Sequence, residues 1–206
     1  MNQTKSVNFA GQEVYPSKIV CAGRNYVDHI KELGNEIPLE PVIFLKPNSA
    51  IGSELHSFIG EALHFEGELS FIIKNSRIAG LGFGLDLTKR KLQNQLKNKG
   101  LPWERSKAFD DAALFSAFVP IDENLSELSL TLEINGKVQQ QGGVNLMIYK
   151  PQTLVDNIQE FCTLLDNDIV MTGTPAGVGV IEKGQVFNGS VFQGDKCIIE
   201  KSWTAV

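Results

Sequence analysis

The chain has 206 residues, of which 42% are hydrophobic and 21% charged, and its formal net charge is −5. This composition is typical of an ordinary globular protein, and the length predicts a single domain over residues 1–206. The lack of a basic cluster argues against a nucleic-acid partner, and no apolar run approaches the roughly 20 residues that a bilayer requires, so we expect a soluble cytoplasmic protein that does not bind membranes.

Short strands dominate the predicted elements. In chain order, the sequence predicts strands at residues 18–21, 42–46, 64–74, 79–87, 128–134 and 169–172, and helices at 25–33, 88–100 and 154–165. The Asn135-Gly136 pair predicts the turn of a β-hairpin, and Thr88 is placed to cap the second helix. These elements predict a β-rich α+β fold with a curled mixed or barrel-like sheet and a few short helices, rather than a doubly wound fold.

Two glutamates in one predicted strand are the main candidates for metal ligands. Glu66 and Glu68 are two residues apart, so their side chains project from the same face with Cα atoms roughly 7 Å apart. Their charges repel unless a cation neutralises them, and Asp86 at the end of the next strand would complete an oxygen-only set suited to Mg²⁺ or Mn²⁺. The alternative is a solvated strand face with ordinary surface carboxylates.

A second pair of polar residues lies on the first predicted helix. His29 and Glu32 are three residues apart and therefore share a helix face, which allows the carboxylate to orient the imidazole and raise its basicity. Such a pair could activate a water molecule. The alternative is a surface pair without a chemical role.

Glycine-rich segments and cysteines offer weaker signals. The Gly80-Leu81-Gly82-Phe83-Gly84 run lacks the glycine spacing of a dinucleotide loop, which favours packing glycines in a bent strand. The segment at 172–177 follows a strand and either offers hydroxyl and N–H groups to a carboxylate or forms a simple tight turn. The cysteines lack disulfide or zinc spacing and are predicted to be reduced, buried thiols: Cys21, Cys162 and Cys197.

Seven short segments occur in an order that covers nearly the whole chain. They are Gly23-Arg24-Asn25-Tyr26, Phe44-Leu45-Lys46-Pro47, His64-Phe65-Glu66-Gly67-Glu68-Leu69, Leu85-Asp86-Leu87-Thr88, Lys99-Gly100-Leu101-Pro102-Trp103, Lys107-Ala108-Phe109-Asp110 and Thr172-Gly173-Thr174-Pro175. In this order they resemble the fumarylacetoacetate hydrolase family, in particular its branch of acylpyruvate hydrolases and oxaloacetate decarboxylases or tautomerases.

This resemblance implies a β-rich catalytic fold, a homodimer and a bound Mg²⁺ or Mn²⁺ held by Glu66, Glu68 and Asp86. It implies that His29 and Glu32 activate water and that Lys107 lies beside the metal. The residues implied to contact a small 2-oxo or dioxo acid are Arg24, Tyr26, Lys46, Gln140 and Thr174.

The implied activity is metal-dependent hydrolysis of a carbon–carbon bond in small 2,4-dioxo acids of the acylpyruvate or fumarylpyruvate type. The alternatives are decarboxylation or enol–keto tautomerisation of oxaloacetate, isomerisation of a 2-oxo diacid, and a non-enzymatic module that binds dicarboxylates through a metal. Residues 33–40 would form a lid over the pocket.

Three features depart from the family pattern. The connection between Glu68 and Asp86 has only 17 residues and lacks the helix that relatives usually place there. Phe65 replaces a histidine that often precedes the metal-binding glutamates, and Gly143-Val144-Asn145 replaces a threonine-containing stretch. The short connection puts the wall of the pocket and any subunit contact in question.

Overall fold

The computed structural model describes residues 4–34, 36–121 and 124–206. In these ranges the helices are short, and they are α1 (Val27–Glu32), α2 (Arg90–Asn98), α3 (Glu104–Lys107) and α4 (Pro151–Gln159). The strands are β1 (Val7–Phe9), β2 (Gln12–Val14), β3 (Lys18–Gly23), β4 (Val42–Pro47), β5 (His64–Phe65), β6 (Gly67–Lys74), β7 (Arg77–Asp86), β8 (Ala113–Phe115), β9 (Val119–Pro120), β10 (Leu128–Ile134), β11 (Lys137–Gly143), β12 (Ile169–Met171), β13 (Gly179–Val180), β14 (Val186–Gln193) and β15 (Lys196–Thr204).

A mixed seven-stranded sheet forms the centre of the molecule, with strand order β4-β3-β12-β6-β7-β8 and β9 paired to β7. Strand β12 is parallel to β3 and antiparallel to β6, and Ile169 pairs with Ile19 on one side and Ile72 on the other. These strands are rich in β-branched residues and buried on both faces, as central strands require.

A second, antiparallel sheet with strand order β11-β10-β14-β15 packs on one face of the first. Leu69 and Phe83 of the central sheet share a buried cluster with Leu130 and Phe187 of the second sheet. A Cβ built at Gly189 would lie 2.6 Å from the Phe83 ring, which shows how closely the two sheets approach. The curled, strand-rich α+β fold with few helices is therefore confirmed.

The short connection between Glu68 and Asp86 is a direct β-hairpin. Strands β6 and β7 pair antiparallel through a turn at Asn75 and Ser76, where both residues have positive φ. The Asp86 N–H donates to the Glu66 carbonyl at 2.9 Å, so the hairpin returns Asp86 to the level of the glutamates without a helix.

The glycines at positions 80, 82 and 84 are packing residues, as predicted. A Cβ built at Gly80 would lie 2.6 Å from the Phe9 ring, and one at Gly82 would lie 2.9 Å from the Phe118 ring. The glycines therefore allow aromatic side chains to cover β7.

The predicted cap of the second helix is wrong. Helix α2 begins at Arg90, and Thr88 makes no capping bond. The Glu61 carboxylate instead accepts N–H bonds from Lys91 at 3.0 Å and Leu92 at 3.3 Å, which satisfies donors at the start of the helix from a distant segment. Helices α1 and α4 are also shorter than predicted. Helix α4 ends at Gln159, so the remaining residues of the predicted helix, 160–165, are not helical.

The predicted burial of the cysteines is confirmed only in part. Cys21 is buried, but Cys162 is half-buried and Cys197 is exposed, so the prediction is wrong for Cys197.

No helix in the described ranges has the length and hydrophobicity needed to cross a membrane. The proposed lid at 33–40 includes residue 35, which lies outside the described residues, and the lid remains a prediction.

Asp168 anchors β12 to the start of β3. Its buried carboxylate accepts hydrogen bonds from Ser17 Oγ at 2.7 Å, Lys18 Nζ at 2.5 Å and the Leu165 N–H at 2.9 Å. Burial favours the neutral acid, but these hydrogen bonds outweigh it and hold the pKa of Asp168 below its ordinary value. The ionised carboxylate therefore stabilises the fold.

An Asp168→Asn variant is expected to lose about 2–3 kcal/mol of unfolding free energy at pH 7, because a buried, charge-assisted network loses its anion. Since the folded-state pKa is lowered, the stabilisation is present above the unfolded-state pKa and is lost as pH falls through the folded-state pKa. Urea unfolding across that acidic range measures the effect. The exposed Asp195→Asn variant is the control, and a stability loss that stays constant with pH would contradict the assignment.

Candidate metal and active site

Three buried carboxylates meet at one end of the central sheet. Glu66 lies between β5 and β6, Glu68 is in β6, and Asp86 ends β7; their exposed fractions are 6%, 2% and 0%. Ligand oxygens from the three side chains lie within 4.8 Å of one another. They are therefore not the solvated surface carboxylates of the alternative interpretation.

Two buried lysines compensate this negative charge. Lys107 Nζ, at the end of α3, lies 2.8 Å from Glu66 Oε2 and 2.7 Å from Asp86 Oδ2, and it donates to Thr88 Oγ1 at 2.6 Å. Lys46 Nζ lies 2.8 Å from Asp86 Oδ1. Thr88 therefore accepts a hydrogen bond from Lys107 in the site and does not cap α2.

The carboxylates differ in their electrostatic surroundings. Burial raises the pKa of Glu68 well above its ordinary value, and the charges of Asp86 and Glu66 raise it further. Burial acts in the same direction on Glu66, but attraction by Lys107 and Arg90 prevails and lowers its pKa. Glu68 is therefore the member of the set whose ionised form is least well compensated by the protein alone.

The predicted His29 and Glu32 pair forms on α1. His29 Nδ1 lies 3.0 Å from Glu32 Oε2, and the other Glu32 oxygen accepts the Gly177 N–H at 3.0 Å. His29 is buried, while Glu32 is partly exposed. Because Glu32 is held on both oxygens, it fixes the imidazole with Nδ1 engaged and leaves Nε2 as the nitrogen for proton exchange.

The site contains two residues that the sequence analysis did not select. An Arg90 Nη2 hydrogen bond reaches Glu66 Oε1, and Arg90 Nη1 donates to Gln93 Oε1 at 2.6 Å. They are three residues apart and share one face of α2. That spacing in a helix predicted directly after Asp86 was the available signal for both residues.

The cavity in front of the carboxylates has a volume of about 40 Å³. Its wall combines cations, carboxylates and a few apolar side chains, including Arg24, His29, Glu66, Glu68, Asp86, Arg90, Gln93, Lys97, Trp103, Lys107 and Thr174. The cavity therefore brings together the predicted metal ligands, His29 and Lys107, with Glu32 directly behind His29.

The five residues implied to contact substrate divide into two groups. Arg24 and Thr174 line the cavity. Tyr26, Lys46 and Gln140 are enclosed by protein, with exposed fractions of 3%, 0% and 1%. For the second group, the structure indicates positions behind the cavity wall rather than on it.

Lys46 and Gln140 use their polar atoms to support other site residues. Lys46 Nζ, besides its contact with Asp86, donates to the Ala112 carbonyl at 3.0 Å. Gln140 accepts the Gly67 N–H at 2.9 Å and donates to Thr174 Oγ1 at 2.7 Å. Tyr26 has a buried hydroxyl without a hydrogen-bond partner among the described residues. Burial is the main cause that raises the pKa of Tyr26, and the charge of Glu68 raises it further.

The donor set fits a hard divalent cation. It consists of carboxylate oxygens on two adjacent strands, and such cations prefer oxygen ligands. Asp86 Oδ1 is buried and accepts no aligned hydrogen bond from the described residues; Lys46 Nζ lies 2.8 Å away, and one ammonium leaves a second lone pair of this oxygen for a cation. A cation would also offset the poorly compensated charge of Glu68.

The chain is similar in sequence and fold to several enzymes. An oxaloacetate tautomerase of Escherichia coli K12, YcgM, is 40% identical, with 82% of this chain and 86% of that protein covered. A mitochondrial oxaloacetate decarboxylase of Dictyostelium discoideum is 38% identical, with coverage of 82% and 86%. A Pseudomonas aeruginosa fumarylpyruvate hydrolase, solved with Mn²⁺ and pyruvate, superposes with a TM-score of 0.88 at 28% identity, covering 100% of this chain and 97% of that chain.

Residues 18–201 match the family model described as fumarylacetoacetate (FAA) hydrolase C-terminal. The match spans most of the chain and includes each carboxylate of the candidate metal site. The resemblance drawn from the seven sequence segments is thereby confirmed. The chain belongs to the fumarylacetoacetate hydrolase family of enzymes.

Proposed function

We propose that this protein interconverts the enol and keto forms of oxaloacetate, or of a closely related 2-oxo diacid, with the help of a divalent cation. The observation that carries the proposal is the buried set of three carboxylates that lines one cavity with His29, whose Nδ1 is held by Glu32 and whose Nε2 is left for proton exchange. The choice of reaction follows the tautomerase relative at 40% identity. The hydrolysis favoured by the sequence analysis is therefore less well supported than its tautomerase alternative.

Glu66, Glu68 and Asp86 would hold the cation, either Mg²⁺ or Mn²⁺. When bound, the cation would supply Lewis-acid polarisation of the substrate's 2-oxo group. Lys46 would keep Asp86 in position from behind, and the Gly173 N–H at 2.8 Å would do the same for Glu68. The contacts from Lys46 and from the Gly173 N–H would thus orient the ligand oxygens without filling the cavity.

His29 would move the proton in the tautomerisation. In the enol-to-keto direction, the O–H proton leaves the oxygen on C2, the C2=C3 electron pair forms a bond to a proton at C3, and the C2–O bond becomes a carbonyl. His29 Nε2 can carry that proton, because Glu32 occupies Nδ1 and stabilises the protonated ring. Glu32 is thus a positioning residue.

Lys107 would stabilise negative charge on the substrate's C2 oxygen. Its ammonium lies at the cavity wall, where burial alone would lower its pKa, but Asp86 and Glu66 raise that pKa and keep the group charged. The fixed charge of this buried ammonium stabilises a developing anion more strongly than the same charge in water.

The same residues could support two other reactions. Breakage of the C3–C4 bond of oxaloacetate would release CO₂ and leave its electron pair in the same enolate, as in the decarboxylase relative. Hydrolysis of an acylpyruvate would need His29 to activate water, and the fumarylpyruvate hydrolase structure favours this as the second candidate. The homodimer stays a prediction.

An assay with three substrates tests the proposal. Purified protein with Mg²⁺ or Mn²⁺ is expected to accelerate loss of the oxaloacetate enol absorbance more than CO₂ release or acetylpyruvate cleavage, and EDTA is expected to abolish the acceleration. A His29→Gln variant should lose about 10²–10⁴-fold in the tautomerisation rate, as is usual for a general base or acid. Faster acetylpyruvate cleavage than enol loss would favour hydrolysis, and activity that resists EDTA would contradict the metal role.

A further inference from the structure

Helix α2 presents a row of polar side chains to the cavity. Arg90, Gln93 and Lys97 occupy positions i, i+3 and i+7, which lie on one helix face, and all three line the cavity. Arg90 contacts Glu66 at the inner end of the row. At 1.5 Å per residue, Lys97 lies about 10 Å further along the helix axis, toward the outer end.

The outer end of this row carries concentrated positive charge. Arg24 lines the same cavity from the turn after β3, and Lys97 Nζ lies 5.8 Å from the centre of the Trp103 ring. Burial lowers the pKa of Lys97, and the charges of Arg24 and Arg90 lower it further. Because these like charges line one cavity and repel one another, an anion bound among them would be stabilised.

A second cavity continues from this end. It has a volume of about 250 Å³ and shares Arg90 and Lys97 with the first, and its wall adds His64 and Asn94. His64 and Asn94 add groups that can form hydrogen bonds to a ligand in this cavity. There is therefore room beyond the carboxylate set for the far end of an acidic substrate.

We propose that Lys97, together with Arg24, binds the distal carboxylate of the substrate and thereby makes the enzyme select diacids over monoacids. The inference rests on the proposed function, because it requires the 2-oxo acid end to lie against Glu66, Glu68 and Asp86. A carboxylate accepts charge-assisted hydrogen bonds from both ammonium and guanidinium groups, and such bonds are stronger than neutral ones. A monoacid would leave these cations without that anion.

Calorimetric titration of the Mn²⁺-loaded protein with malate and with lactate tests this inference. The two probes share a 2-hydroxy acid group and differ by the distal carboxylate. Lys97→Met, which keeps an unbranched stem against Trp103, is expected to raise the malate Kd about tenfold and to change the lactate Kd by less than about twofold. Lys97→Arg should restore most of the malate affinity, and Lys91→Gln, on the outer side of α2, should match the wild type.

Equal weakening of malate and lactate by Lys97→Met would overturn the inference, as would an unchanged malate Kd or a wild type without malate preference. The readout does not depend on turnover. A wild type that fails to tautomerise oxaloacetate but shows a Lys97-dependent malate preference would contradict the proposed reaction and support diacid selection. Tautomerisation by a Lys97→Met variant with an unchanged malate preference would support the reaction and overturn diacid selection.

Discussion

Replacement of Glu68 by glutamine is expected to lower kcat/KM for oxaloacetate by about 10³-fold while it raises the stability of the metal-free protein. The amide keeps an oxygen that can accept the Gly173 N–H, but it lacks the negative charge that holds a divalent cation. A loss of several kcal/mol of Lewis-acid assistance corresponds to a rate effect of about this size.

The stability gain in Glu68→Gln has an electrostatic cause. Glu68 is 2% exposed and its charge is repelled by Asp86 and Glu66. Removal of one of three crowded charges is expected to add roughly 1–2 kcal/mol to the unfolding free energy in EDTA at neutral pH, which is a few degrees in Tm for a chain of this length. Calorimetry with and without Mn²⁺ measures both this gain and the lost metal stabilisation.

The exposed Glu104→Gln variant, on α3, serves as the matched control because it removes a glutamate charge outside the cavity. It should leave Tm and kcat/KM close to the wild-type values. If Glu68→Gln lowered stability in EDTA, Glu68 would be a structural residue whose charge the fold needs, and its proposed role as a metal ligand would lose its main physical support.

A Lys107→Met variant is expected to show the opposite change in stability at the same site. Loss of the Lys107 ammonium removes the buried cation that Glu66 and Asp86 share, which should cost about 3–5 kcal/mol in EDTA. Saturating Mn²⁺ should recover part of that loss by supplying positive charge. The kcat for oxaloacetate should fall about 10²–10³-fold even with Mn²⁺, because the fixed charge near the developing anion is gone.

Lys137→Met, in the exposed strand β11, is the control for loss of a lysine charge. Thermal unfolding and steady-state kinetics over a range of Mn²⁺ concentrations separate the two effects of Lys107→Met. A kcat that returned to the wild-type value at saturating Mn²⁺ would show that Lys107 only neutralises the carboxylates and plays no part in the reaction.

The inner part of the site was predictable because strand periodicity is simple. Residues two apart in a strand share a face, so Glu66 and Glu68 could be paired from sequence alone. Their burial could not be predicted in the same way, since it depends on helices α2 and α3 covering that end of the sheet. The end of the next predicted strand supplied Asp86, whereas family resemblance, rather than spacing, supplied Lys107.

The errors arose where a tertiary contact replaced a local one. Thr88 has the residue type and position of a helix cap, but Glu61 caps α2 and Thr88 accepts a hydrogen bond from Lys107. Lys46 and Gln140, which were expected at the substrate, each have a buried polar head that holds another site residue, and their contact with substrate stays a prediction. Sequence position identifies such residues as part of a site without showing which side of the wall they occupy.

The direct β6–β7 hairpin also affects the order in which the site can form. It carries Glu66, Glu68 and Asp86 on one continuous stretch of chain, so closing a short loop with little entropic cost is enough to bring the carboxylates together. Lys46, His29 and Thr174 join through contacts that are more distant in sequence and slower to form. Until Lys46 reaches Asp86, the repulsion among the carboxylates is only partly compensated, and a dissolved cation can stabilise the nascent hairpin during folding.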